Sequence, residues 1–207
     1  METTFYDLPF TLAPGRVFSP RPATERLVHA ALERVDGGPK RVADVGTGSG
    51  ALALAIAAGC PDAVVWATDV DPHAVALARE NVRRLGLSGR VFVRRGDLLD
   101  PVPGPLDLIV ANLPYLPARE AALHLDLEGE PFAAVFAAGD GLGHYRRLLE
   151  AAEEKLTPGG ALLLQLRGEV VAASREELAG LRAAFSADVG HEAEADAADA
   201  GAVALVA

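Results

Sequence analysis

The sequence predicts an α/β fold: a doubly wound, Rossmann-like, mostly parallel seven-stranded sheet with helices on both faces. Three observations predict it. From Arg41 onward, short apolar runs alternate with helical stripes at the spacing of βαβ crossovers. The first run hands over to its helix through a glycine loop, Gly46-Thr47-Gly48-Ser49-Gly50. The runs that come next are each followed by a polar residue, Asp69, Asp97 or Asn112, at the carboxyl edge where open α/β sheets bind ligands.

In chain order, residues 1–20 carry Pro9, Pro14 and Pro20. They are expected to be irregular, as an arm lying on the domain or as a disordered lead. Thr24 is expected to cap a helix from about Glu25 to Val35, with Leu27, Val28, Ala31 and Leu32 on one face. Asp36-Gly37-Gly38-Pro39 should end it. Arg41–Val45 reads as the first strand and Ala51–Ala58 as the helix after the glycine loop. Val64–Thr68 is the second strand. Asp71-Pro72 opens a helix to Leu85, with Asp71 as N-cap, a stripe of Val75, Leu77, Ala78, Val82 and Leu85, and Gly86 just beyond. Val91–Arg94 and Leu106–Ala111 are the third and fourth strands, and Ala161–Gln165 is the fifth, after a helix over Gly143–Leu156. Residues 116–135 form a long irregular segment of the kind that often serves as a lid or substrate loop. Ser174–Phe185 is a further helix. Two short apolar pieces within 187–207, ending in the strand Ala202–Val206, flank an acidic loop of Glu192, Glu194, Asp196 and Asp199. A terminal hairpin on the sheet edge is expected there.

Composition narrows the function. Half of the 207 residues are hydrophobic and 23% are charged, enough for one substantial core and against a disordered chain. Cys60 is the sole cysteine, which excludes a disulfide framework and a cysteine-based zinc site. The five histidines show no ligand spacing, so no metal is expected. The longest apolar run, Ala51–Ala58, is too short for a bilayer, and Met1-Glu2-Thr3-Thr4 lacks the basic start of a signal peptide. No membrane association, a cytoplasmic location and a monomer are expected. A net charge of −10 argues against a nucleic-acid partner. The densest basic stretch, Arg83, Arg84, Arg90, Arg94 and Arg95, reads better as a solvated face than as an RNA contact.

The glycine loop has the spacing G-x-G-x-G and lacks the Gly-Lys-Ser/Thr of a phosphate loop. Asp44, directly before it, would repel a diphosphate and suits a ligand carrying an ammonium or sulfonium group. Asp69 ends the second strand and is placed to accept hydrogen bonds from both ribose hydroxyls of an adenosine. Asp97 is placed for the adenine amino group, with Leu98 packing on the ring. As a set, these motifs resemble class I S-adenosylmethionine-dependent methyltransferases. The resemblance implies S-adenosylmethionine as cofactor, bound by Asp44, Gly46, Thr47, Gly48, Ser49, Gly50, Asp69, Val70, Asp97, Leu98 and Asn112.

Asn112-Leu113-Pro114-Tyr115 follows the fourth strand. An amide or aromatic amine nitrogen is a poor nucleophile because its lone pair is delocalised, so a site that methylates it must orient the NH2 group. An Asn oxygen and a nearby backbone carbonyl can accept its two hydrogens. Pro114 stiffens the turn, and Tyr115 offers a flat face for stacking. Asn112, Pro114 and Tyr115 are the candidate catalytic residues, and Leu113 and Glu130 join Asn112, Pro114 and Tyr115 as candidate substrate-binding residues.

This tetrapeptide resembles the Asn-Pro-Pro-Tyr motif of amino methyltransferases acting on adenine N6, cytosine N4 or glutamine N5. Phe18-Ser19-Pro20-Arg21-Pro22-Ala23-Thr24-Glu25, Glu130-Pro131, Ala138-Gly139-Asp140-Gly141-Leu142 and Tyr145-Arg146-Arg147-Leu148-Leu149 resemble segments of the HemK/PrmC family, which methylates a glutamine of peptide-chain release factors. The resemblance covers roughly residues 17–206. It implies an N-terminal arm and helix over 1–40, a methyltransferase domain over 41–207, and a protein substrate of the release-factor kind. Three positions depart from the family pattern: Leu113 replaces Pro, Ala23 replaces Asp, and Gln165 stands where Glu usually ends the fifth strand. The roughly 40 residues before the first strand are too few for the helical domain that bacterial members carry. The leading expectation is therefore a glutamine N-methyltransferase. An RNA or DNA adenine N6-methyltransferase and a non-catalytic S-adenosylmethionine-binding protein are the alternatives.

Overall fold

The structure, a computed structural model, describes residues 1–35, 40–166, 169–187 and 204–206. Strands β1 (Glu2–Phe5) and β2 (Leu8–Thr11) open the chain as an antiparallel hairpin. Tyr6 and Asp7 turn it at φ of 51° and 60°, the left-handed pair that a two-residue hairpin turn demands. This corrects the irregular arm expected over residues 1–20. Pro9 is compatible with pairing because a two-stranded ribbon has only edge strands. The ribbon does lie on the domain. Phe5, Phe10 and Leu12 are buried in the core. Asn81 accepts from Thr11 N–H (2.9 Å) and donates to the carbonyls of Thr11 (3.0 Å) and Ser49 (2.9 Å), tying ribbon to glycine loop.

Helix α1 (Pro22–Val35) starts earlier than expected. Pro22 suits a first turn, where a missing N–H costs nothing. Thr24, the expected cap, is instead buried inside the helix. The expected stop at residues 36–39 lies outside the described residues. The alternation then follows as β3 (Lys40–Val45), α2 (Ala51–Gly59), β4 (Ala63–Asp69), α3 (Pro72–Arg84), β5 (Val91–Arg95) and β6 (Leu106–Ala111). Asp71 caps α3 as expected, accepting from His73 N–H at 2.9 Å. The segment 116–135 is more ordered than expected. It holds β7 (Leu116–Pro117), two 3-10 turns (Ala118–Leu123 and Leu125–Leu127) and α4 (Phe132–Val135), and β8 (Phe136–Ala137) then pairs parallel with β7.

Helix α5 (Gly143–Lys155) leads into β9 (Leu156–Leu166), which includes Pro158-Gly159-Gly160 and shifts register opposite Leu106 and Leu108. The sequence did not predict β10 (Glu169–Ser174). The helix expected from Ser174 is α6 (Leu178–Ala187), entered through a 3-10 turn that Ser174 and Glu177 cap reciprocally. β11 (Ala204–Val206) pairs antiparallel with β10, so β10 supplies the partner expected within 187–207. The acidic loop lies outside the described residues.

The seven strands run β11-β10-β9-β6-β3-β4-β5. β3, β4, β5, β6 and β9 are parallel, and β10 is antiparallel to both neighbours. Each face carries its own apolar layer, because side chains alternate along a strand. Leu108 and Val110 of β6 join α1–α3 residues such as Leu27, Ile56 and Val82. Leu106, Ile109 and Ala111 join Tyr145, Leu148, Leu181 and Phe185 of α5 and α6. Strand order reverses between β3 and β6, so the glycine loop and Asn112 emerge side by side at the switch point. Among the described residues, no helix is long and apolar enough to cross a membrane.

Candidate active site

The loop after β3 is stitched to the end of β4: Gly46 N–H and Thr47 N–H both donate to the Thr68 carbonyl, at 2.9 and 2.8 Å. Gly46 has φ 72°, and a Cβ there would lie 2.6 Å from Leu113 Cδ2. Only glycine lets the loop and the tetrapeptide touch at this point. Asp44 Oδ2 accepts from Thr47 Oγ1 (2.6 Å) and Ala53 N–H (3.1 Å). Burial pushes the Asp44 pKa up from 3.8 to about 7, against those two hydrogen bonds, and the charge of Asp69 adds to the rise. No cationic side chain pairs with it among the described residues. Asp69 Oδ2 accepts from Gly48 N–H and Oδ1 from Asp71 N–H, both at 2.9 Å. Each oxygen keeps a lone pair for a further donor. Burial also raises the Asp69 pKa.

Leu98 is held at φ 43°, a conformation that costs on the order of 1–2 kcal/mol for a side chain of its kind. Thr68 Oγ1 fixes it by donating to the Leu98 carbonyl at 2.8 Å. Asp97 is turned to an ion pair with Arg147 of α5. Asp44, Gly46, Thr47, Gly48, Ser49, Asp69, Val70, Asp97, Leu98 and Asn112 all line one cavity of about 380 Å³. Gly50 does not; it faces Ala78, where a Cβ would come within 3.2 Å of the Ala78 Cβ.

A second cavity, of about 540 Å³, adjoins the first. Asn112, Leu113 and Pro114 line both, and Tyr115 lines the second. Tyr145 sits beneath the tetrapeptide. Its buried hydroxyl accepts from Leu113 N–H (3.1 Å) and lies 2.8 Å from the carbonyls of Leu113 and Gln165, one of which takes its proton. Burial raises the Tyr145 pKa, so the hydroxyl keeps that proton. A proline at position 113 would have no N–H to give, so Tyr145 makes use of the leucine. Gly141 approaches the tetrapeptide from the other side: a Cβ there would lie 2.0 Å from the Tyr115 carbonyl oxygen.

Glu130, expected to contact substrate, lines neither cavity. Its carboxylate accepts from Ser19 N–H (3.2 Å) and faces Arg21 (3.6 Å), which pins the arm to the segment after β6. Sequence reasoning did not assign Tyr145, Arg21 or Gln165 to the site. In the basic stretch, Arg84 pairs with Glu2, Arg90 donates to the Cys60 carbonyl (3.1 Å) and Arg95 to the Val70 carbonyl (3.2 Å).

Fold and site together define a Rossmann-like methyltransferase domain, and the profile of the methyltransferase small domain matches residues 15–128. A solved 16S rRNA N2 G1207 methyltransferase of T. thermophilus shares the fold, with a TM-score of 0.59 at 23% identity over 84% of this chain and 41% of that one. Proteins named release factor glutamine methyltransferase are more similar in sequence. That of Moorella thermoacetica is 46% identical over 165 residues, 78% of this chain and 58% of its own. That of Deinococcus radiodurans is 49% identical over 154 residues, 73% and 55% respectively. That of Bordetella pertussis is 43% identical over 185 residues, 86% and 67%. The chain belongs to the release factor glutamine methyltransferase family, and it spans a little over half the length of the first two of these relatives.

Proposed function

We propose that the chain uses S-adenosylmethionine to methylate the side-chain amide of a glutamine in a protein of the release-factor kind. The observation that carries this reading is the shared wall, Asn112-Leu113-Pro114, between two adjoining cavities. Transfer between two bound molecules needs such a junction. The names of the relatives support the acceptor.

The first cavity fits the cofactor. Asp44 is a buried acid without a cationic side chain beside it among the described residues, and a positively charged ligand group would compensate it. Asp69 has lone pairs to spare for two hydroxyls and is itself held by two backbone N–H groups. Leu98, locked by Thr68, offers an apolar surface to a base. When bound, S-adenosylmethionine supplies the methyl, whose carbon bonds to the amide nitrogen as the sulfonium S–C pair withdraws to sulfur, the nitrogen's surplus proton passing to water.

The chain's own contribution is orientation. Asn112 accepts one amide hydrogen and turns the nitrogen toward the first cavity, which is a large part of the acceleration available to such a site. Tyr145 and Gly141 hold the tetrapeptide rigid, and Tyr115 stacks on the acceptor. Asn112→Ala is expected to leave cofactor affinity nearly unchanged and to slow single-turnover methyl transfer about 10²–10³-fold, by analogy with loss of one oriented group in an oxyanion site. A rate near wild type for Asn112→Ala would remove Asn112 from the reaction.

A further inference from the structure

We infer that Gln165 is a second amide-binding residue, whose side-chain oxygen accepts a hydrogen of the acceptor NH2 alongside Asn112; this rests on the proposed amide acceptor. Gln165 is 5% exposed, lines the second cavity, and carries an Oε1 with no hydrogen-bond partner among the described residues. A buried acceptor left bare is destabilising, and an active site is where such a cost is retained for a ligand donor.

Register puts Gln165 in the right place. Ala111 of β6 pairs with Leu164 of β9, so Asn112 and Gln165 each follow a paired residue at the carboxyl end of adjacent parallel strands. Asn112 can take one hydrogen of a primary amide. Gln165 Oε1 is the buried acceptor on this wall without a partner among the described residues. The same cavity also receives Arg21, whose Nε is buried and without a partner among the described residues. One unmet acceptor and one unmet donor complement a carboxamide, which brings N–H donors and a carbonyl acceptor. A glutamate side chain, with two acceptors and no donor at neutral pH, would leave Gln165 Oε1 without a hydrogen.

The test is calorimetric binding of a short glutamine peptide and its glutamate counterpart to the full chain, saturated with S-adenosylhomocysteine. Wild type is expected to prefer the glutamine peptide by at least about tenfold. Gln165→Leu should lose most of that preference, leave S-adenosylhomocysteine affinity unchanged, and raise the melting temperature of the free chain by about 2 °C, since it removes a bare buried acceptor. Gln165→Glu, which keeps an acceptor oxygen at the same place, should retain glutamine-peptide binding at pH 8. Gln165→Leu binding the glutamine peptide as tightly as wild type, or being less stable than wild type, would overturn the assignment. Methylation of the peptide is followed alongside. Normal Gln165 effects on binding with no methylation would sustain the binding site and overturn the methyl-transfer reading; methylation by Gln165→Leu at the wild-type rate and KM would do the reverse.

Discussion

At the end of β3, Asp44 has its carboxyl out of water and its Oδ2 held by Thr47 and Ala53. Its folded pKa of about 7 exceeds the ordinary 3.8, so between these values the folded chain holds a proton that the unfolded chain has released. Stability of the unliganded protein therefore falls as pH rises from about 4 to about 7 and levels off above. A cationic ligand favours the ionised carboxylate, so its affinity should rise over the same approach to neutrality. S-adenosylmethionine titrated by calorimetry should bind wild type about tenfold more tightly at pH 8 than at pH 6, relative to Asp44→Asn measured at the same pH values. Equal pH slopes for the two proteins would take Asp44 away from the cation. Asp44 and Asp69 were legible in the sequence because their place depends only on local spacing from the glycine loop. The partners of Asp97 and Glu130 were not. Arg147 lies 50 residues from Asp97 in sequence, and no local pattern signals such a pairing. Tyr145 and Gln165 were hidden for another reason: each falls in an apolar stripe or strand where sequence alone reads packing.

The elements show the same division between local and distant causes. Strands β3 to β6 and helices α2, α3 and α5 lie where apolar period and capping residues put them, Asp71 and Gly86 included. The hairpin of β1 and β2 was missed because Tyr6-Asp7 is not the asparagine–glycine type of turn that marks hairpins, and its docking onto Asn81 spans 70 residues. β10 was missed because Val170 to Ala173 are buried in succession, which erases the alternation that marks a half-exposed strand. The segment from Ala138 to Leu142 has a role that its sequence does not announce, since Gly141 packs against the Tyr115 backbone at a φ of 91°. Gly141→Ala should push that backbone away. The expected result is an acceptor KM raised several-fold or more, cofactor affinity near wild type, and a stability loss of about 1–3 kcal/mol by denaturant unfolding. An unchanged acceptor KM would mean that this contact does not position the tetrapeptide.

Across the whole molecule, the reversal of strand order between β3 and β6 is what places the two adjoining cavities on either side of one tetrapeptide. The arm, pinned through Arg21 and Ser19 to Glu130, closes over the same edge of the sheet, and Phe18 lines both cavities. A net charge of −10 gives the chain as a whole no general attraction for polyanions and leaves acceptor choice to the local site. That is the physical case for the proposed amide in a protein over a base in a nucleic acid. Incubation of the chain with methyl-labelled S-adenosylmethionine, a purified bacterial release factor and total RNA in one reaction, followed by mass-spectrometric mapping of the label, tests this most directly. The account predicts a single methyl group on a glutamine side-chain nitrogen of the release factor, abolished in Asn112→Ala; label on RNA adenine, or on no macromolecule, would contradict it.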